Sequence, residues 1–253
     1  MLKRALAATL LASVVALGAC EETVLPTFGD TGVLSGGINT AGNGAFGRNI
    51  SSQFEFLYPP VNNSCDVSPR CSLAESRSEA VGTLSNGGSP FMLLSTENPA
   101  PTFNASAIQT SGVRTTALTV QNPSQYTALR LVLEWAFLTS RTPATANDSA
   151  IVRVKSGNDS AVVFRVTSAD LQSSRFPQRS TGCGKFTLFA PADSVTYGTC
   201  TDWQSSSDID LTAWKDRTFE LHFIVSEAAP FDTGANDFPT VFLFRRFAIE
   251  GGK

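Results

Sequence analysis

The chain contains one histidine, His222, and therefore one imidazole for acid–base chemistry. A Ser-His-Asp triad would have to use it, because that mechanism needs a general base beside the nucleophile. The sequence has no Gly-x-Ser-x-Gly segment, which would present a nucleophilic serine on a sharp turn. His222 stands two residues after Glu220 in a strand-like run, so we expect both side chains on one sheet face and no catalytic role.

Asp208 and Asp210 are the acids whose spacing could suit a glycosidase. Residues two apart on a strand share a face, and glycosidases place two carboxyl groups across the scissile bond. The Glu-x-Asp-x-x-Glu strand motif of jelly-roll hydrolases is missing, so we predict that the chain is not an enzyme. A glycan-active hydrolase of the jelly-roll type stays open as an alternative.

Three aromatic residues, Trp203, Trp214 and Tyr197, could offer a ligand surface on which sugar rings stack. The alternative is that these rings pack inside the protein, under a loop between Cys183 and Cys200. Trp135 differs from them because it lies within residues 131–138, a run that is apolar on both strand faces. We therefore predict that Trp135 belongs to the core.

The N-terminal twenty residues, MLKRALAATLLASVVALGAC, have the layout of an export signal. A basic start precedes an apolar run that is too short to span a hydrocarbon core of ~30 Å. Leu17-Gly18-Ala19-Cys20 resembles the lipobox of bacterial lipoproteins, whose cysteine sulfur receives a diacylglycerol after which the signal is removed. The resemblance implies a lipid on Cys20 and a place in the bacterial cell envelope. Because Glu21, and not Asp, follows, it favours the outer membrane.

The resemblance also divides the chain. We expect a signal peptide at residues 1–19, a lipidated cysteine with a Gly-rich flexible tether at 20–49, and one domain at 50–253. Lipidation would leave four cysteines, for which three disulfide pairings are open. The local pairing, Cys65 with Cys71 and Cys183 with Cys200, closes two short loops and is our prediction. A zinc site is the alternative, but no CxxC spacing supports it.

Composition excludes several classes of protein. Hydrophobic residues make up 42% of the chain and its formal net charge is −3, which predicts a packed core and not a disordered chain. Because 19 Lys and Arg face 22 Asp and Glu without a basic cluster, we expect no nucleic-acid partner. No residue pattern calls for a cofactor.

Strand-like runs separated by turn-forming residues dominate the sequence after residue 50. They predict strands near residues 53–58, 90–95, 113–120, 128–139, 150–155, 161–167, 185–189, 217–226 and 240–250. The one helix signal is Ser168, a potential cap for a short turn. The runs 131–138 and 241–249 are apolar on both faces, which is typical of strands inside a covered sheet. This pattern predicts an all-β fold with almost no helix, a two-sheet antiparallel β-sandwich of the jelly-roll kind.

Alternation also assigns side chains to faces in the predicted hairpin around residues 156–160. The inward set should be Val152, Val154, Val162, Phe164 and Val166. The outward set should be Arg153, Lys155, Arg165 and Thr167.

Three stretches in order resemble the choice-of-anchor family of bacterial jelly-roll domains, which is similar to carbohydrate-binding modules. They are residues 115–154, with Phe137-Leu138-Thr139-Ser140 and Asn147-Asp148; residues 203–223; and residues 241–251. Related domains bind a structural Ca²⁺ through carboxylates, which makes Asn147 and Asp148 weak calcium candidates, although two residues do not complete a site. Where relatives carry Asp-Asn in the last strand, this chain has Arg245-Arg246.

Glu134 stands in an otherwise apolar strand and needs a partner if it is buried. Our hypothesis is that Arg245 or Arg246 pairs with it, so that a guanidinium takes the place of a cation. The alternative is that Glu134 lies at a sheet edge and is solvated.

These features together predict a lipid-anchored, extracytoplasmic binding or scaffold protein of the bacterial envelope that does not catalyse a reaction. Its ligand would be a glycan or a protein, and its membrane contact would be the N-terminal lipid. The second interpretation is an extrinsic accessory subunit that stabilises a membrane protein complex. An aromatic-lined groove would favour the glycan, and a flat apolar patch would favour the accessory subunit.

Overall fold

The structure, a computed structural model, describes residues 27–28, 32–33, 54–57, 73–77, 91–96, 110–139, 147–172, 184–187, 194–197, 199–227 and 240–252. Within these ranges no helix has the length and hydropathy needed to cross a lipid bilayer. Strands account for most of the described residues, and each pair of neighbouring strands is antiparallel.

The strands follow one another as β1 (Thr27–Phe28), β2 (Gly32–Val33), β3 (Phe54–Phe56), β4 (Leu73–Arg77), β5 (Phe91–Ser95), β6 (Thr110–Thr115), β7 (Leu118–Thr119), β8 (Ala128–Thr139), β9 (Ser149–Ser156), β10 (Asp159–Thr167), β11 (Gly184–Thr187), β12 (Ser194–Tyr197), β13 (Thr199–Cys200), β14 (Gln204–Asp210), β15 (Thr218–Ser226) and β16 (Val241–Gly252). The helical elements of the described residues are α1 (Ser168–Gln172) and two single 3₁₀ turns, Pro123–Gln125 and Thr212–Trp214.

Two sheets form the sandwich. The larger has eight strands in the order β10-β9-β15-β7-β1-β2, with β6 also beside β15 and β3 beside β6. The smaller has six in the order β13-β8-β16-β5-β4, with β14 also beside β8, while β11 and β12 form a separate pair. One hydrophobic core takes side chains from both sheets. The predicted all-β, two-sheet antiparallel fold is therefore confirmed.

Aromatic rings join the two sheets at the middle of this core. Phe223 of β15 stacks on Phe244 of β16 with ring centroids 4.2 Å apart, and Phe54 of β3 meets both rings edge-on. Trp135 of β8 is fully buried against Phe164 of β10, as predicted for a core residue. Such offset and edge-to-face pairs are the arrangements that aromatic quadrupoles favour.

Strands β8 and β16 are interior strands of the smaller sheet, which explains why both are apolar on two faces. Their inward residues, such as Leu133 and Phe242, join the main core. Their outward residues Ala136, Leu138 and Leu243 are fully buried as well, outside that cluster. The prediction that these runs occupy the inside of a covered sheet is confirmed.

A β-bulge at Arg245 keeps the long strand β16 in phase with the core. Phe244 pairs with Trp135 and Arg246 pairs with Glu134, so Arg245 is an extra residue between two consecutive pairs. Phe244 and Phe247 therefore both point inward, although three positions separate them. A regular strand would direct Phe247 outward, because successive side chains alternate between faces.

A second bulge, in edge strand β10, corrects part of our face assignment. The register shifts between Val162 and Phe164. Val162, expected inward, is instead 50% exposed, whereas Val152, Val154 and Val166 are fully buried as expected. Because residues 161–164 are all apolar, the sequence does not show which of them face inward, and the register shift could not be predicted.

The helix α1 begins with a cap one residue earlier than we expected. The hydroxyl of Thr167 accepts from the backbone N–H of Asp170, and Asp170 Oδ2 accepts from the Thr167 backbone N–H at 2.8 Å. This reciprocal capping box makes Thr167, and not Ser168, the capping residue. Thr167 is also buried, so the prediction that it faces water is wrong.

Candidate functional site

Polar side chains form a continuous band on the outer face of the larger sheet. Alternation on β15 sends Phe219, Leu221 and Phe223 into the core and turns the residues between them outward. Neighbouring strands add outward residues directly opposite those of β15, because His222 pairs with Arg114 of β6 and with Arg153 of β9. We call this band the charged stripe, and its members are Glu55, Arg114, Arg153, Lys155, Glu220 and His222.

Glu220 is the centre of the hydrogen-bond network in the charged stripe. Its Oε2 lies 2.9 Å from Nε2 of His222 and 3.6 Å from Nη1 of Arg114. On the other side, Arg114 donates from Nη2 and Nε to Oε2 of Glu55 at 2.7 and 3.0 Å. The stripe therefore holds Arg114 between two carboxylates, and the buried His222 lies beside Glu220 as the strand pattern indicated.

A groove of about 430 Å³ opens beside the charged stripe. Its lining residues are Arg114, Ala117, Lys155, Ser156, Gly157, Thr218, Phe219 and Glu220. The β9–β10 turn forms one wall, where Gly157 has the positive φ of 58° that glycine adopts without strain. Two contacts attach this turn to the start of β15. The Ser156 hydroxyl donates to the Thr218 carbonyl at 2.7 Å, and Arg217 forms an ion pair with Asp159 at 2.6 Å.

The groove was not identified from the sequence. The alternation that turned Arg153 and Lys155 outward was visible, but the register that brings them beside Glu220 was not. Strand pairing is set by contacts between distant segments, so a single sequence shows the faces of a strand but not its neighbours.

The two acids proposed as a glycosidase pair lie on the other sheet. Asp208 and Asp210 are both exposed, with the buried Ile209 between them on edge strand β14. Asp210 Oδ1 accepts from the backbone N–H of Thr212 at 2.8 Å. Hydrogen bonds from the Thr212 side chain and backbone hold the pKa of Asp210 below its usual value, which favours the charged form.

The aromatic residues proposed as a ligand surface are mostly inside the protein. Tyr197 is fully buried and Trp214 is buried in the main core, so neither presents a ring face to a ligand. Trp203 is half-buried, and its ring packs against Phe91 at 6.0 Å between centroids. The guanidinium of Arg245 covers this ring at 4.4 Å from the ring centroid.

The same Arg245 is the partner of Glu134. Its Nε donates to Glu134 Oε2 at 2.8 Å, with both side chains about four-fifths buried. Arg245, one of the two arginines that we proposed for this contact, makes it, and the bulge places it there. The side chain of Arg246 lies outside the described part of the structure. Glu134 is thus held by a cation on an interior strand and is not solvated at an edge.

Asp148, one of the weak calcium candidates, belongs to a buried polar seam at one end of the sandwich. Its Oδ2 accepts from the hydroxyls of Thr139 and Thr240, each at 2.8 Å. The Thr240 backbone N–H donates to the Thr96 hydroxyl, which in turn donates to Glu227 Oε2 at 2.9 Å. These five residues join the ends of strands from both sheets.

Asn147 is exposed while Asp148 is fully buried, so the two candidates face different surroundings. In the part of the chain that the structure describes, no group of three or more His, Cys, Asp or Glu side chains is placed to hold a metal ion.

Four of the five cysteines lie outside the described residues: Cys20, Cys65, Cys71 and Cys183. Cys200, on β13, is buried and disulfide-bonded. Its pairing with Cys183, the Cys65–Cys71 bridge and the lipid on Cys20 stay predictions.

Comparison with known proteins identifies no family for this chain. No protein-family model matches it, and no curated protein matches it. Among solved structures it is similar to the K2 cleaved adhesin domain of Lys-gingipain, with a TM-score of 0.41 and 14% identity over 78% of this chain and 89% of that one. The K1 cleaved adhesin domain of Lys-gingipain from Porphyromonas gingivalis W83 gives a TM-score of 0.38 and 12% identity over 83% and 97%. The structure of an exo-β-agarase gives a TM-score of 0.32 and 11% identity, over 86% of this chain and 25% of the agarase chain. At these values none of the three likenesses identifies a ligand.

Proposed function

We propose that this chain is a non-catalytic, lipid-anchored binding protein of the bacterial cell envelope, and that the groove beside the charged stripe holds a glycan. The observation that carries the proposal is the Arg114–Glu220 ion pair at the groove wall, whose Nη1 and Oε2 atoms lie 3.6 Å apart. A guanidinium donates and a carboxylate accepts, so the two together can hold adjacent hydroxyl groups of a sugar. Binding sites commonly use a few such polar groups to orient a ligand.

The contacts around the Arg114–Glu220 pair support this function because they restrict the conformations of both side chains. Glu220 also contacts His222, and Arg114 also contacts Glu55, so each side chain has a second partner that orders it. Both stand on strands of an eight-stranded sheet. A site whose groups are already ordered loses less conformational entropy when a ligand binds.

The accessory-subunit interpretation has less support. A docking face for a protein complex would expose several large apolar side chains together. In the described ranges, Val162 is the exposed large hydrophobic residue, and it stands beside the outward Arg153.

Titrating the full chain, purified in detergent, with a panel of neutral and acidic oligosaccharides tests the glycan site. We expect at least one saccharide to bind, and Arg114→Met or Glu220→Gln to weaken that binding about tenfold, since a hydrogen bond to a charged group contributes ~1.5–3 kcal/mol. Arg130→Met, an exposed cation on β8 of the other sheet, is the control and should leave the affinity unchanged. Absence of saccharide binding would refute the groove as a glycan site, and cleavage of a saccharide would refute the non-catalytic assignment.

The anchor is tested separately by Cys20→Ser. The lipid is attached through a sulfur atom that serine lacks, so we expect the variant to lose its lipid and to leave the detergent phase in Triton X-114 partitioning. The wild-type protein should stay in that phase. A processed Cys20→Ser protein that still partitions into detergent would contradict lipidation at this residue.

A further inference from the structure

We infer that the groove selects acidic glycans, and that Lys155 is the residue that recognises the carboxylate of a uronic acid. This inference rests on the proposed function and adds the charge of the ligand to it. It begins from the charge balance of the stripe. Three cations, Arg114, Arg153 and Lys155, face two carboxylates, Glu55 and Glu220, on a chain whose formal net charge is −3.

The negative charges of the two carboxylates are already paired with residues other than Lys155, although each carboxylate keeps lone pairs that can accept from a ligand. Glu55 contacts Arg114 at 2.7 Å, and Glu220 contacts both His222 and Arg114. Lys155 pairs with Glu220 in the backbone register, yet no ion pair joins Lys155 to another residue within the described ranges. Arg153 likewise has no ion pair there, and it adds positive potential ~7 Å further along the same strand face. The excess positive charge is thus located on β9, at the edge of the groove.

The position of Lys155 makes this charge accessible to a ligand. Lys155 is exposed and lines the groove together with Ser156 and Gly157 of the β9–β10 turn. A methyl group built on Gly157 would meet no atom within 4 Å, so the space above the turn is open. A negatively charged group can therefore reach the lysine without moving the backbone.

The lining favours a sugar acid over an anionic peptide or lipid. The hydroxyls of Ser156 and Thr218 already bond to the Thr218 carbonyl and to Thr119, but their oxygens keep lone pairs that can accept from a ligand. Together with the Arg114–Glu220 pair they suit a ligand rich in hydroxyl groups. Of the apolar lining residues, Phe219 is only 1% exposed and Ala117 presents a single methyl group, so the groove offers no large apolar subsite for a peptide side chain or an acyl chain. A volume of about 430 Å³ lies within the ~300–1,000 Å³ range of small-molecule sites and suits one or two sugar rings.

The test compares trigalacturonate with its fully methyl-esterified form, which has the same rings without the charge. Calorimetric titration of the full chain in detergent should show that trigalacturonate binds at least tenfold more tightly than the ester, as expected for a hydrogen bond to an ionised group. Lys155→Met should remove this preference, Lys155→Arg should keep most of it, and Arg130→Met should have no effect. Raising the salt concentration should weaken trigalacturonate binding and leave ester binding unchanged.

Two results would overturn the inference in distinguishable ways. If trigalacturonate and its ester bind equally, and Glu220→Gln weakens both, the groove is a glycan site without acid selectivity and the proposed function stands. If neither saccharide binds, while anionic vesicles or a phosphopeptide bind in a Lys155-dependent manner, the groove recognises another anion and the glycan function fails as well.

Discussion

Deletion of Arg245 is expected to prevent folding, whereas Arg245→Ala should give a folded protein of reduced stability. Without the extra residue of the bulge, every residue after Phe244 would change face, because side chains alternate along a strand. Phe247 and Ile249 would leave the core. Burying either side chain contributes about 1.5–3 kcal/mol, and a whole domain is stable by only about 5–15 kcal/mol.

The point substitution isolates the local contacts of the arginine. Arg245→Ala removes the Glu134 ion pair and the guanidinium above Trp203 but keeps the register. We expect a loss of about 1–3 kcal/mol, since both contacts are partly buried. Urea unfolding followed by circular dichroism compares the two variants. A deletion variant that unfolds cooperatively near the wild-type midpoint would show that the bulge does not set the register.

Asp148→Ala is expected to lower the free energy of unfolding by about 2–5 kcal/mol, because two buried threonine hydroxyls lose their acceptor. The matched control is Asp208→Ala, which removes an exposed carboxyl group and should change stability by less than ~0.5 kcal/mol. Chemical denaturation of both variants gives the comparison. Equal stabilities would show that the polar seam contributes nothing at Asp148.

A chelator separates this explanation from the calcium alternative. If Asp148 acts only through Thr139 and Thr240, EDTA should leave the unfolding midpoint of the wild-type protein unchanged. A midpoint that falls with EDTA and recovers with added Ca²⁺ would instead place an ion at this end of the sandwich.

Strong local patterns were enough to predict the central strands. The expected strand at residues 128–139 coincides with β8, Ala128–Thr139, because residues 131–138 are apolar on both faces apart from Glu134, and such a run fits a sheet interior. Strand β14, with the sequence Gln-Ser-Ser-Ser-Asp-Ile-Asp, was missed. It is an edge strand with a single buried residue, so alternation could not reveal it.

The bulges and the polar sites were less predictable for a different reason. The phase change at Arg245 was visible in principle, since Phe242 and Phe244 are followed by apolar residues 247 and 249. The phase change at Val162 was not visible in the sequence, because its neighbours at residues 161, 163 and 164 are also apolar. The charged stripe and the polar seam combine single residues from distant strands, and only the pairing of those strands brings them together.

The position of β16 has a consequence for how the protein acquires its structure. This strand lies between β8 and β5, both of which precede it by a long stretch of chain. Until β16 arrives, the smaller sheet cannot close, and two apolar strands have open edges to which another chain could add. Sheets that depend on such distant pairings fold slowly, in milliseconds to seconds. The smaller sheet should therefore close only after residues 241–252 have been made, although β5 and β8 are synthesised long before.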